Sequence, residues 1–210
     1  MPQDRRPGRP VRVLLAEDQS MVREALAALL GLEDDIEVVA QVARGDEVLA
    51  AARAHAVDVA LLDIEMPGAT GIEAAAVLRR ELPDVRLVVL TTFGRPGYLR
   101  GAMEAGADAF LVKDAPAAQL ADAVRRVLAG ERVIDPTLAA AALAEGANPL
   151  TDREREILRA ASDGATNAEL ATTLHLSQGT VRNYLSTAIQ KLAARNRTEA
   201  IAKAREKGWL

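Results

Sequence analysis

The chain has 210 residues, half of them hydrophobic but only 2% aromatic, and a formal charge of −4. That length allows one large domain or two small ones, with a core built from Ala, Leu and Val. The absence of Cys excludes disulfides, thiolate zinc sites and Cys nucleophiles, and two histidines are too few for a His-based metal centre.

Residues 1–10 carry Arg5, Arg6 and Arg9 with no apolar stretch behind them, so they read as a disordered tail and not a signal peptide. No apolar run approaches the roughly 20 residues of a membrane span. The expectation is a soluble, cytoplasmic protein. Charge is uneven: residues 1–147 carry −7 and residues 148–210 carry +3. This asymmetry predicts two domains, the second facing a polyanion.

From Val11 to Gly130 short apolar runs alternate with Ala/Leu-rich helical stretches. Strands are predicted over Val11–Ala16, Ile36–Gln41, Val57–Leu62, Leu87–Thr91 and Ala109–Val112. Helices are predicted over Met21–Gly31, Gly45–Ala54, Gly71–Glu81, Pro96–Ala105 and Pro116–Ala129. Continuous apolar strands suit a sheet buried on both faces. Five β/α units predict a doubly wound five-stranded parallel sheet, flavodoxin-like, of order 2-1-3-4-5. Residues 131–148 read as a linker with a short Ala-rich helix started by Asp135-Pro136 and broken by Gly146-Ala147-Asn148-Pro149. A small all-α domain follows, with helices over Thr151–Ala161, Asn167–Thr173, Ser177–Ala193 and Thr198–Lys207. Thr151 with Glu154, and Thr166 with Glu169, make capping boxes.

In an open α/β sheet ligands bind beyond the carboxyl ends of the strands. Four of the five strands end in a polar group: Glu17-Asp18, Asp63, Thr91 and Lys113. Two adjacent carboxylates and a third can hold Mg²⁺, a hard cation that prefers oxygen. Asp63 then becomes a candidate nucleophile for an aspartyl-phosphate, Lys113 a counter-charge and the Thr91 hydroxyl a donor to a phosphoryl oxygen. A lone Asp at a strand end is an ordinary loop cap; four such elements in order are not. Met66-Pro67-Gly68 is turn chemistry that lets backbone N–H groups approach.

These residues carry a resemblance. Residues 11–130 resemble response-regulator receiver domains through Glu17-Asp18, Asp63 within Asp63-Ile64-Glu65-Met66-Pro67-Gly68, Gly71, Thr91 and Lys113. The resemblance implies Asp63 as phosphoacceptor, Asp18 as direct Mg²⁺ ligand, Glu17 as ligand through water and the Glu65 backbone carbonyl as the last protein ligand. It also implies Thr91 and Phe110 as a switch pair. Two features depart from the family or stand out: Asp114 follows Lys113 where many relatives carry Pro, and Phe93 is a bulky residue placed to shield an acyl phosphate.

Asn167–Thr173, a turn at Leu174-His175-Leu176 and Ser177–Ala193 read as a helix-turn-helix whose second helix enters the major groove. On that helix Val181, Leu185, Ile189 and Leu192 face the core. Arg182, Asn183 and Ser186 lie opposite as base contacts, since Arg suits guanine and Asn suits adenine. Gln178, Thr180, Lys191, Arg195 and Arg197 are candidates for the DNA backbone. Residues 149–210 resemble the LuxR-type DNA-binding domain. The matching text is Leu150-Thr151-Asp152-Arg153-Glu154-Arg155-Glu156-Ile157-Leu158, Gly164-Ala165-Thr166-Asn167-Ala168-Glu169-Leu170-Ala171, Thr180-Val181-Arg182-Asn183-Tyr184, Lys191-Leu192 and Asn196-Arg197-Thr198-Glu199-Ala200.

Together the two resemblances imply the NarL/FixJ class of two-component transcription regulators, phosphorylated by a sensor histidine kinase and binding double-stranded DNA as a homodimer. Glu33-Asp34-Asp35, Thr91-Thr92-Phe93, Arg95-Pro96-Gly97-Tyr98 and Glu206-Lys207-Gly208-Trp209 also look like the regulators that answer a membrane-fluidity thermosensor and control a lipid desaturase. Two other readings compete. An aspartyl-phosphate phosphatase needs its nucleophile on the first strand with a general acid two residues on, whereas here that strand ends in Glu17-Asp18. A regulator freed from phosphorylation often lacks one of the acidic residues, and here the set is complete.

Overall fold

The computed structural model describes residues 9–92, 95–113, 116–145 and 148–210. Residues 1–8, Phe93 and Asp114 therefore lie outside the described residues. The chain divides into two compact units: the first holds the described residues up to Ala140 except residues 95–98, and the second holds those four with the residues from Ala141 on.

The first unit is a parallel sheet wrapped by helices. Its elements are β1 (Val11–Ala16), α1 (Ser20–Leu30), β2 (Ile36–Val42), a 3-10 turn (Gly45–Glu47), α2 (Val48–His55), β3 (Val59–Asp63), α3 (Gly71–Glu81), β4 (Arg86–Thr91), α4 (Pro96–Glu104), β5 (Ala109–Val112), α5 (Ala117–Leu128), β6 (Val133–Ile134) and α6 (Pro136–Glu145). The strand order is 2-1-3-4-5-6, with every pair parallel.

Alternation along the central strands feeds two separate cores. Val13, Leu15, Val59, Leu61, Val88 and Leu90 pack with Leu30 of α1 and Leu120, Val124 and Val127 of α5. On the other face Leu14, Ala60, Leu62 and Leu87 meet Val48 and Ala52 of α2 and Ala74, Ala75 and Leu78 of α3. All five residues of β3 are buried, as a central parallel strand requires.

Three expectations are corrected. The five-stranded sheet carries a sixth strand, because Val133 and Ile134 pair with Ala109 and Phe110 and cover the open edge of β5. This strand lies in the stretch 131–148, ahead of the short Ala-rich helix expected there. That helix, α6, is capped by Asp135, whose Oδ1 accepts from the Thr137 and Leu138 N–H groups at 2.7 and 3.2 Å. The third strand starts at Val59, not Val57, because the Asp58 carboxylate turns back to accept from Arg12 N–H at 2.9 Å. The helix predicted over Gly45–Ala54 is broken at its start into a 3-10 turn. There Gly45 donates to Pro67 O at 3.0 Å, and a Cβ on it would sit 2.0 Å from Ala69 O.

The second unit holds α7 (Asp152–Ala160), a 3-10 turn (Ala161–Asp163), α8 (Asn167–Thr173), α9 (Gln178–Lys191) and α10 (Arg197–Glu206). Both capping boxes are formed, and the Ser177 hydroxyl caps α9 by accepting from Thr180 N–H at 3.0 Å. Ile157, Leu158, Leu170, Val181, Leu185, Ala188, Leu192, Ala200 and Ala204 make the core. Ile189, expected inside, is half-buried, and Ala188 takes the inner position.

The turn between α8 and α9 places His175 at φ 53°. The left-handed region suits glycine better than a residue with a Cβ. His175 is exposed, so replacement by Gly removes strain and no packing. His175→Gly is expected to stabilise this unit by about 0.5 kcal/mol or more, read as a shift in its denaturation midpoint. A lower midpoint would show that the imidazole makes a stabilising interaction.

Candidate functional site

The sheet places the acidic residues side by side. Ala16 of β1 pairs with Leu62 of β3, so Glu17 and Asp63 emerge together at the carboxyl edge. Asp63 pairs with Leu90, one residue before Thr91. Lys113 follows β5, and its N–H donates to Thr91 O at 2.8 Å. Oxygens of Glu17, Asp18 and Asp63 lie within 4.8 Å of one another.

Burial differs sharply across the three. Glu17 is fully buried and Asp63 is 4% exposed, while Asp18 is open to solvent. The Lys113 ammonium sits between the two buried carboxylates, 2.6 Å from Glu17 Oε2 and 2.8 Å from Asp63 Oδ1. Burial pushes the Asp63 carboxyl up to about 6; the Lys113 hydrogen bond pulls it down, and the charges of Glu17 and Asp18 push it up again. For Lys113, burial works against the charged form, but Asp63 and Glu17 outweigh it and hold its pKa above the ordinary value.

Glu17 Oε1 accepts from Gln19 N–H at 3.2 Å. Among the described residues its Oε2 is held by the ion pair with the Lys113 ammonium and by no further hydrogen-bond donor. A sealed carboxylate oxygen with no further donor, beside two more carboxylates, is a hard-oxygen donor set and fits a divalent cation. Glu65, Thr92 and Gln19 line the same cleft with Asp63, Ile64 and Thr91.

The loop after β3 depends on two glycines. A Cβ on Gly71 would lie 1.9 Å from Asp63 O, so only Gly lets α3 start this close to the site. Gly68 sits at φ 81°, and Thr70 then caps α3 in a box with Glu73. Thr91 and Phe110 are both buried, and the register puts them on one face of the sheet: Phe110 pairs with Val89, two residues before Thr91.

Arg23 is a site residue that sequence reasoning misses. Its guanidinium donates to Glu17 O at 2.6 Å and to Asp18 O at 3.4 Å, pinning the loop that carries both carboxylates. The only trace in the sequence is a cation one helical turn into α1.

The second unit exposes Arg182, Asn183 and Ser186 on α9, with Gln178 exposed at its start. The other backbone candidates are engaged within the chain. The Thr180 hydroxyl shares a hydrogen bond with Ser177 Oγ at 2.8 Å. Arg195 pairs with Glu199 at 2.8 Å, although its side chain stays exposed. Arg197 donates to Ala161 O at 2.5 Å. Lys191 donates to Glu154 Oε2 at 2.7 Å. Among the described residues no helix is long and apolar enough to cross a membrane.

Comparison with known proteins gives the same division. Residues 13–125 match the response regulator receiver domain family, and residues 148–204 match the luxR family of bacterial regulatory proteins. The transcriptional regulatory protein DesR of Bacillus subtilis is 45% identical over 201 residues, covering 95% of this chain and 98% of that one. The DNA-binding transcriptional activator DevR/DosR of Mycobacterium tuberculosis is 37% identical over 205 residues, covering 93% and 94%. The crystal structure of ChrA, a response regulator of a heme-sensing two-component system, is 35% identical with a TM-score of 0.57, covering 96% and 99%. The chain belongs to the response regulators of two-component systems, as a receiver domain joined to a LuxR-type helix-turn-helix, and so to the NarL/FixJ class of DNA-binding transcriptional regulators and not to a conventional enzyme family.

Proposed function

We propose that a sensor histidine kinase phosphorylates Asp63, and that the phosphorylated receiver, spanning residues 11–130, pairs with a second copy. Residues 149–210 of the two copies then bind two half-sites on double-stranded DNA in the cytoplasm. The observation that carries this is the Asp63 carboxylate, buried at a strand end and held 2.8 Å from the Lys113 ammonium beside Glu17.

In the transfer, an Asp63 carboxylate oxygen attacks the phosphorus of a phosphohistidine. The P–N bond breaks with its electron pair going to the imidazole, and a P–O bond to Asp63 forms. Asp18, Asp63 and the Glu65 carbonyl, with Glu17 through water, would hold Mg²⁺, which neutralises phosphoryl oxygens when bound. Lys113 counters the remaining negative charge. Thr91 donates its hydroxyl to the phosphoryl group, and Phe110, on the same sheet face, packs into the space the hydroxyl leaves. That is a two-position element biased by new charge.

On DNA, Arg182, Asn183 and Ser186 read bases, while Gln178, Thr180, Arg195 and the free donors of Arg197 meet phosphates. Arg182→Ala is expected to lose about 1–3 kcal/mol of discrimination at one base pair, read by competition between operator variants. An equal loss on all sequences would make Arg182 a phosphate contact.

The test of the whole reading is the solution size of the chain with and without beryllofluoride and Mg²⁺. A Mg²⁺-dependent dimer supports it. A monomer under both conditions overturns phosphorylation-driven pairing.

A further inference from the structure

We infer that Lys191 is a positioning residue, held by the buried Glu154 to fix the recognition helix, and is not a phosphate contact. The inference rests on the DNA-binding reading of the second unit and revises one residue of it.

Glu154 is 3% exposed and is the only buried charged side chain of the second unit among the described residues. One oxygen, Oε2, accepts from two donors: Thr151 N–H at 2.7 Å and Lys191 Nζ at 2.7 Å. The first bond closes the capping box of α7. The second reaches the last residue of α9, 37 positions away.

The same unit supplies a control. Thr166 and Glu169 form an identical box at the start of α8. Glu169 is exposed there, and among the described residues it hydrogen-bonds only to Thr166. Capping a helix therefore requires neither burial nor a lysine. The extra feature at Glu154 is the tie to α9.

That tie sits where it has leverage. Lys191 ends α9, and Arg182 lies nine residues earlier, about 13 Å along the axis. A tilt of about 5° about the Lys191 end would carry Arg182 by about 1 Å, enough to spoil a bidentate base contact. Pinning the far end to the start of α7 removes that freedom.

The pair is also a poor source of phosphate binding. To reach a phosphate, Lys191 would leave a carboxylate buried without its counter-charge, which costs more than an exposed contact returns. While the pair stays closed it is neutral and releases no counterion from DNA.

The experiment measures binding of the full chain, with beryllofluoride and Mg²⁺, to a duplex that the wild type selects from a random-sequence pool, across a salt series, alongside thermal unfolding. Lys191→Met, Lys191→Arg, Glu154→Gln and the Glu154→Gln/Lys191→Met double variant are compared with wild type. Lys191→Met is expected to leave the slope of log K against log salt unchanged, to weaken affinity about tenfold and to lower the melting temperature of the second unit. Lys191→Arg should restore both. The double variant should recover melting lost by the single one, since no buried charge is then unpaired. Should Lys191→Met prove too unstable to assay, Glu154→Gln decides: it frees the lysine, and positioning predicts weaker binding.

In Lys191→Met, a slope shallower by about 0.9, the change for one phosphate no longer neutralised, together with unchanged melting, overturns the inference. So does tighter binding by Glu154→Gln. A wild type that binds no duplex at any salt overturns the DNA-binding reading itself, which is a different failure.

Discussion

Alanine in place of Asp63 is expected to abolish phosphate uptake from acetyl phosphate and the size change induced by beryllofluoride. The loss should be complete, because neither neighbouring carboxylate can substitute: Glu17 is sealed beneath Lys113, and Asp18 is exposed to water. Intact mass after incubation reads the result directly. Phosphate retained by Asp63→Ala would move the acceptor elsewhere and break the assignment. The same residue sets a pH dependence. Its folded pKa of about 6 lies above the unfolded value near 3.8, so the ionised carboxylate opposes folding. The penalty is absent below about pH 4, grows through pH 6 and reaches roughly 3 kcal/mol at neutral pH without a bound cation. Asp63→Asn should therefore be more stable than wild type in EDTA at pH 7.5, with the difference vanishing near pH 4. Equal unfolding curves at both pH values would show that Asp63 is not strained.

Lys113→Ala acts in the opposite direction. It leaves Glu17 and Asp63 buried together with no cation between them. Breaking a buried ionic cluster from one side costs about 3 kcal/mol or more. The loss should appear in denaturant unfolding in EDTA at pH 7.5 and shrink as the pH falls and Asp63 takes a proton. Saturating Mg²⁺ should return part of it, about 2.7 kcal/mol at a hundredfold excess over Kd. No stability loss in EDTA would mean that the carboxylates are balanced by something other than this ammonium.

What is legible in the sequence follows from the range of the forces involved. β1, α3 and β5 begin and end where the pattern predicts, because apolar runs and the Thr70 cap are local signals. The acidic site is legible because sheet topology turns strand ends into neighbours. β6 escapes sequence reading since two β-branched residues carry no periodicity; only the open edge of β5 makes them a strand. The start of β3 is displaced because Asp58 prefers the Arg12 backbone, a contact 46 residues away. Charge type alone nominates Lys191 and Arg197 for DNA. Sequence shows that a cation is present, but not that Glu154 or Ala161 O already holds it. Arg23 escapes for the same reason, since its partners are backbone carbonyls that any sequence supplies.

The short sixth strand matters beyond closing an edge. Its Ile134 is paired in register with Phe110, and the next residue, Asp135, starts the helix that leaves the sheet. The aromatic member of the proposed switch pair and the exit of the connecting segment thus share one rung of the ladder. Any backbone shift at Phe110 must either be carried across that rung or break it. The first outcome makes the exit segment a lever, and the second makes it a release catch.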